Sequence, residues 1–287
     1  MNQRTAVVTG AGSGVGRLTA QALARAGWRV YATLRDPAGR NAPAAGELRA
    51  AGIAVVELDV TSDASVEAAA GPILDEAGSV DLLVNNAGTG YFGIVEAYTP
   101  AAVERQFATN VIGPLRVNRA FLPSMRARRS GLVVYVSSVV GRLVIPFEAI
   151  YVASKFALEA LAEASSYELA PFGVDVAIVE PGAYPTDIVT GLGQADDAER
   201  VAAYGAVAKL AEQVAVSLPK LAAGRDPQEV ADAILGLAGM PAGERPLRTV
   251  VPANPAVDAI NAAHAPIQRE MLKRMGLETL LPKAAAK

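Results

Sequence analysis

The chain has 287 residues, with 26 lysines and arginines against 29 aspartates and glutamates, for a net charge of −3. That length suits one large α/β domain, and the charge balance offers no basic field to draw nucleic acid or an anionic membrane. There is no cysteine, which excludes disulfides, thiolate metal sites and a cysteine nucleophile.

The first residues run directly into a strand-like segment with no apolar leader core before it. No uncharged apolar run approaches the ~18 residues that span a bilayer. A soluble cytoplasmic protein is therefore expected. Seven short apolar runs follow, at 6–9, 30–34, 54–57, 82–85, 132–136, 174–179 and 248–251. Nearly every residue in them is apolar, as in strands buried on both faces, and alanine-rich helical stretches separate them. This alternation predicts a doubly wound parallel sheet.

Helix signals lie between the runs. Asp63 is expected to cap a helix ending near Gly78, and Pro100 suits the first turn after Thr99. Pro114 falls inside the next helix and predicts a bend. Trp28 is expected to pack where the first helix turns into the second strand. Arg126, Arg128 and Arg129 crowd a helix end, where cations favour the dipole. After Gly182 the pattern loosens into helical residues 187–221, a helix from Asp226–Pro227, a last strand and an amphipathic segment from Asn254. The prediction is one domain over 1–287, with 187–221 as a substrate lid and 254–287 as a C-terminal extension whose alanine-lysine end frays. His264, the only histidine, reads as a solvated helix residue, and no metal site is expected.

Chemistry concentrates at three places. The first strand runs into Gly10, Gly12, Ser13, Gly14, Val15 and Gly16, and then a helix. Glycines there let the backbone turn sharply and approach a pyrophosphate resting on the helix N-terminus. Tyr151 and Lys155, four apart, share one helix face, and a nearby ammonium would lower the phenol from its usual pKa of ~10. Ser138 ends a buried strand 13 residues before Tyr151, at the sheet edge where doubly wound folds bind ligands. Ser137 is the alternative hydroxyl.

The loop spacing T-G-x-x-x-G-x-G continues in order through Asp59–Val60, Asn85–Gly88, Asn110, Ser138, Tyr151-x-x-x-Lys155 and Pro181–Gly182. Over residues 5–190 the chain resembles the short-chain dehydrogenases/reductases, in their single-domain branch. Ala11-Gly-Ser-Gly14, residues 31–36 and residues 147–159 resemble their 17β-hydroxysteroid and retinol dehydrogenase subgroup. The resemblance implies a Rossmann-type sheet and hydride transfer between a nicotinamide and a carbonyl or alcohol carbon. It makes Tyr151 the general acid or base, Ser138 the group that binds the substrate oxygen, and Lys155 also a holder of the nicotinamide ribose. Asn110 would hold a water-linked proton relay. Asp59 and Val60 would flank adenine; Asn86, Ala87 and Gly88 would lie beside the adenosine ribose; Pro181, Gly182 and Thr186 would lie near the carboxamide.

At the end of the second strand, Leu34 offers no acceptor to a ribose hydroxyl, and Arg35 suits a 2′-phosphate. NADP(H) is therefore expected over NAD(H), with Asp36 capping the turn. Tyr91, Leu143, Phe147 and Tyr184 are expected to line a hydrophobic substrate site, for a steroid, aryl or long-chain carbonyl. Such proteins pair through the helices carrying Asn110 and Tyr151, so a homodimer or homotetramer is expected. The alternatives are a non-catalytic NADP-binding sensor and an NAD-dependent epimerase or dehydratase. The latter branch carries T-G-x-x-G-x-x-G, which this chain lacks.

Overall fold

Each of the seven apolar runs becomes a strand of one parallel sheet in the computed structural model, which describes residues 3–282. The first half is β1 (Thr5–Thr9), α1 (Gly14–Arg25), β2 (Arg29–Leu34), α2 (Ala42–Ala50), β3 (Ala54–Glu57), α3 (Asp63–Ala77) and β4 (Leu82–Asn85). Then come a two-residue β5 (Tyr91–Phe92), α4 (Pro100–Phe107), α5 (Gly113–Arg128), β6 (Gly131–Val136), α6 (Ala149–Leu169) and β7 (Val174–Pro181). The remainder is α7 (Asp187–Thr190), a two-residue β8 (Gly193–Gln194), α8 (Ala198–Ala203), α9 (Ala206–Ala222), α10 (Gln228–Gly239), β9 (Arg248–Val251) and α11 (Pro255–Arg274). The sheet order is β3-β2-β1-β4-β6-β7-β9, with every pairing parallel.

The apolar residues serve both faces because successive strand side chains point opposite ways. Ala6, Val8, Val84 and Val134 meet α1, α2 and α10, while Val7, Leu83, Val133 and Tyr135 meet α3, α5 and α6. Strand order reverses between β1 and β4, which opens a crevice at their carboxyl ends.

Local chemistry sets the helix starts. Thr99 accepts from the Ala102 N–H, with Pro100 at the first position, as expected. Ser62, rather than Asp63, caps α3 by accepting from the Ser65 N–H; Asp63 is the first helical residue and binds Arg116 at 2.8 Å. The interruption expected from Pro114 lies just before it: residues Ala108–Ile112 form a π turn that joins α4 to α5, and Pro114 sits in the first turn of α5. Trp28 is buried under the Arg4 guanidinium, 4.1 Å from its ring. At the end of α5, Arg128 binds Asp81 at 2.9 Å and Arg129 donates to the Pro171 carbonyl.

The helical stretch 187–221 is broken: β8 interrupts it and pairs with β5, Tyr91 opposite Gly193. The C-terminal segment begins at Asn254, whose side chain accepts from the Ala256 and Val257 N–H groups. The alanine-lysine end expected to fray lies outside the described residues.

One buried network ties β9 to α6 and α11. The Arg248 guanidinium lies 2.9 Å from Glu159, 2.7 Å from Glu163 and 3.4 Å from Glu180. Asn261 of α11 donates to Glu180 at 2.7 Å. His264 is half-buried 3.9 Å from Glu163, not the solvated residue expected.

Candidate active site

The carboxyl ends of β1, β2, β4, β6 and β7 open into one cleft of about 590 Å³. All the residues expected to hold a cofactor line it: the glycine loop, Leu34, Arg35, Asp59, Val60, Asn86–Gly88, Tyr151, Lys155, Pro181, Gly182 and Thr186.

The loop has the shape a dinucleotide needs. Gly10 has φ +65°, and a Cβ there would lie 2.8 Å from the Ala87 backbone. A Cβ on Gly16 would lie 2.4 Å from the Gly10 carbonyl, so neither position admits another residue without movement of the main chain. Asn86 locks the loop by donating to the Thr9 and Gly10 carbonyls at 2.8 and 3.2 Å. Ser13 precedes α1 in extended backbone and makes no capping bond, and the first turn of α1 has no acidic residue. The helix thus presents free N–H groups and its positive end to an anion.

At the adenosine end Leu34 is buried and Arg35 exposed. Asp36 turns its carboxylate back to the Arg40 N–H at 2.9 Å, the capping role expected of it. Burial opposes ionisation of Asp59, yet the Thr61 N–H and hydroxyl, with Arg35 and Arg40, hold its carboxyl below the usual range. Arg40 and Asn41, whose amide donates to the Arg35 carbonyl at 2.6 Å, complete this corner unforeseen.

At the other end Ser138, Tyr151 and Lys155 converge. Ser138 Oγ donates to the Pro181 carbonyl at 3.3 Å and accepts from the Val140 N–H. Lys155 is buried, donates to the Val136 carbonyl at 2.9 Å and lies 5.6 Å from the Tyr151 ring centre. Burial pulls its ammonium down to about 8, against the attraction of Glu159. Burial also pushes the Tyr151 phenol above its usual range, eased by the Ser138 hydroxyl and reinforced by Glu148. Among the chain's own groups, desolvation therefore outweighs the lowering expected from Lys155, and the phenol keeps its proton at neutral pH. Along α6, Glu148, Tyr151, Lys155, Glu159 and Glu163 follow one another at spacings of three and four residues.

Asn110 is buried in the π turn and does not line the cleft. Its amide binds the Thr89 backbone on both sides and donates to Ser154 Oγ at 3.0 Å. Of the residues expected at the substrate, Leu143 and Tyr184 line the cleft, but Tyr91 and Phe147 are turned elsewhere. The Tyr184 ring joins the core, and its hydroxyl donates to Glu229 at 2.8 Å. Tyr91 stacks edge-on against Tyr98 and accepts from Arg105, while Phe147 packs on Phe92. Aliphatic residues of the 142–147 stretch and of the 187–221 segment stand at the cleft mouth: Ile145, Ile188, Leu192, Leu218 and Leu221. Among the described residues no cluster suited to a metal ion occurs, and no helix is long and apolar enough to cross a membrane.

A parallel sheet, an anion-ready glycine loop and a Tyr–Lys pair meet at one cleft of an α/β domain. A family model described as short chain dehydrogenase matches residues 4–197, and the chain belongs to that family. Among curated relatives it is 38% identical to the uncharacterized oxidoreductase YusZ of Bacillus subtilis, over 83% of this chain and 85% of that protein. It is 41% identical to retinol dehydrogenase 8 of Bos taurus, over 64% of this chain and 60% of that protein. It is also 41% identical to estradiol 17-beta-dehydrogenase 1 of Rattus norvegicus, over 65% of this chain and 56% of that protein, so it spans well under two thirds of those two. A short-chain dehydrogenase structure from Streptomyces avermitilis superposes with TM-score 0.76 at 33% identity, covering 95% of this chain and 96% of that one. A structure from Burkholderia phymatum in complex with NAD gives 0.74 at 28%, covering 100% and 98%. An alcohol dehydrogenase from Thermococcus sibiricus complexed with 5-hydroxy-NADP gives 0.70 at 29%, covering 88% and 99%.

Proposed function

We propose that this chain is an oxidoreductase that interconverts a bulky hydrophobic ketone or aldehyde and its alcohol, using NADP(H) in preference to NAD(H). The observation that carries the reading is the convergence of Ser138, Tyr151 and Lys155 at one end of a cleft whose other end is the glycine loop. When bound, the reduced nicotinamide supplies the hydride. Ser138 and Tyr151 hydrogen-bond the carbonyl oxygen, and the Tyr151 phenol gives it a proton as negative charge develops there. Lys155 steadies the phenolate left behind and holds the nicotinamide ribose. With the Asn110 amide fully engaged, its share in a proton relay falls to its main-chain carbonyl.

The apolar mouth built by Leu143, Ile145 and the 187–221 segment supports a hydrophobic substrate and a lid role for that segment. A coupled NADPH-oxidation screen over ketones and aldehydes of graded size tests the substrate class. Higher kcat/KM for small polar ketoses than for any hydrophobic carbonyl would overturn the substrate class. The exposed apolar side chains Ile112, Leu115 and Phe156 beside the Asn110 and Tyr151 helices favour a homodimer or homotetramer.

The cofactor preference rests on Leu34 and Arg35. A guanidinium on the 2′-phosphate is worth ~1.5–3 kcal/mol, or roughly 10- to 150-fold in favour of NADP(H). Arg35→Ala should erase most of that ratio, and Leu34→Asp should reverse it by repelling the phosphate. Equal kcat/KM for NADPH and NADH in the unmodified protein would refute the assignment.

A further inference from the structure

Glu148 lines the cleft and has no part in the reaction described above. It directly precedes α6, three residues before Tyr151, close enough for its charge to act on the Tyr151 phenol. The preceding residue, Phe147, is held at φ +69°, an unusual conformation for a bulky side chain, with its carbonyl accepting from the Gly93 N–H at 2.6 Å. Glu148 is only 9% exposed. Its side chain does not cap its own helix, and among the described residues its carboxylate receives no hydrogen bond and forms no ion pair. The nearby phenol of Tyr98 spends its hydroxyl on the Phe147 carbonyl. Burial alone pushes the Glu148 carboxyl upward.

An acceptor buried without a donor is destabilising, and a charged one more so. The positive end of α6 offsets part of that burden. Among the described residues no side chain supplies a further partner, and the carboxylate oxygens open onto the cleft. Around it the mouth is aliphatic, through Leu143, Ile145, Ile188, Leu192 and Leu218. A ligand that displaces water from this part of the cleft therefore has to bring a donor of its own.

We propose that Glu148 selects the substrate by accepting a hydrogen bond from a hydroxyl or protonated amine carried a few bonds from the reacting carbon. The inference rests on the oxidoreductase reading above and narrows its substrate class to hydroxy- or aminoketones with an apolar body. A carboxylate only accepts, so a second carbonyl or a carboxylate on the substrate would be rejected there.

The test uses three ketones with one hydrophobic body: unsubstituted, with a hydroxyl on the neighbouring carbon, and with an amine there. Each is offered with NADPH to the unmodified protein, to Glu148→Gln and to Glu148→Leu. The unmodified protein should favour a donor-bearing ketone by at least about tenfold in kcat/KM, chiefly through KM. In Glu148→Leu the ratio should fall to within about threefold of one, as the donor-bearing ketone loses its partner and the unsubstituted one gains. Glu148→Gln keeps a neutral acceptor, so a surviving hydroxyketone preference identifies the hydroxyl, and its loss only for the aminoketone identifies the amine. Both variants should melt at or above the unmodified protein, because each removes an unpartnered buried charge. Equal treatment of the three ketones by the unmodified protein, or one common loss across all three in Glu148→Leu, overturns the inference and leaves the oxidoreductase reading standing. Turnover of none of them overturns both.

Discussion

Tyr151→Phe should lower carbonyl turnover by ~10²–10⁴-fold, the usual worth of a positioned acid or base. The substitution keeps the ring among its buried neighbours and removes only the transferable proton and one hydrogen bond to the substrate oxygen. Dinucleotide affinity should change little, since the glycine loop, Asn86 and the Arg35 corner are distant from the phenol. Stopped-flow turnover together with fluorescence titration of NADPH separates the two effects, and near-normal kcat in the variant would show that another group delivers the proton. The pH profile gives a second check. The phenol is pushed up by burial and holds its proton through neutrality, whereas Lys155 is protonated only below about 8. In the reducing direction kcat/KM for NADPH should be level below about pH 8 and decline above it, as the ammonium loses its charge.

Arg248→Met should be the most destabilising single change among the ionic residues, by about 3–5 kcal/mol, because it leaves buried carboxylates without their cation. Glu159 and Glu180 are almost inaccessible and Glu163 nearly so, and one guanidinium serves all three. For a protein of this size the loss corresponds to a fall of about 6–20 °C in Tm. Its pH dependence has a definite sign. Burial, and then Glu159, already raise the Glu180 carboxyl above the ordinary range. Burial opposes ionisation of Glu163 too, but the Tyr167 hydroxyl and Arg248 hold it below that range. Without Arg248 these carboxyls move upward, so the folded state binds protons that the unfolded chain releases, and stability falls as pH rises through the raised values. The deficit against the unmodified protein should therefore widen from pH 5 to pH 8. A deficit below 1 kcal/mol, or one independent of pH, would mean that the carboxylates find other partners.

The inner strands of the sheet were legible because they are buried on both faces, and the less buried edge strands β3 and β9 were marked by their valines. β5 and β8 were not, since two residues carry no periodicity and each strand exists only by pairing with the other. The nucleotide end was readable for a related reason: its glycines answer to backbone constraints that neighbouring residues impose, as Gly10 and Gly16 do. The substrate end was only half readable. Tyr184 does line the cleft, but Tyr91 and Phe147 do not: the direction of a ring is decided by tertiary partners such as Tyr98 and Phe92, which no local pattern announces. Glu148 did leave a trace, one acidic residue inside the apolar stretch 143–150, without the local partner that would have explained it.

Glu148 at the start of helix α6 is followed along it, at intervals of three and four residues, by Tyr151, Lys155 and then two of the carboxylates that Arg248 binds. With 1.5 Å of rise per residue, Glu148 and Glu163 are about 22 Å apart along one rod. A slide or roll that shifted Tyr151 in the cleft would drag Glu159 and Glu163 out of register with a guanidinium fixed on the sheet. The helix is in effect pinned at its far end like a ruler nailed to a bench. Since a displacement near 1 Å can cost a hundredfold in rate, the distant pin sets the alignment tolerance of the reaction itself.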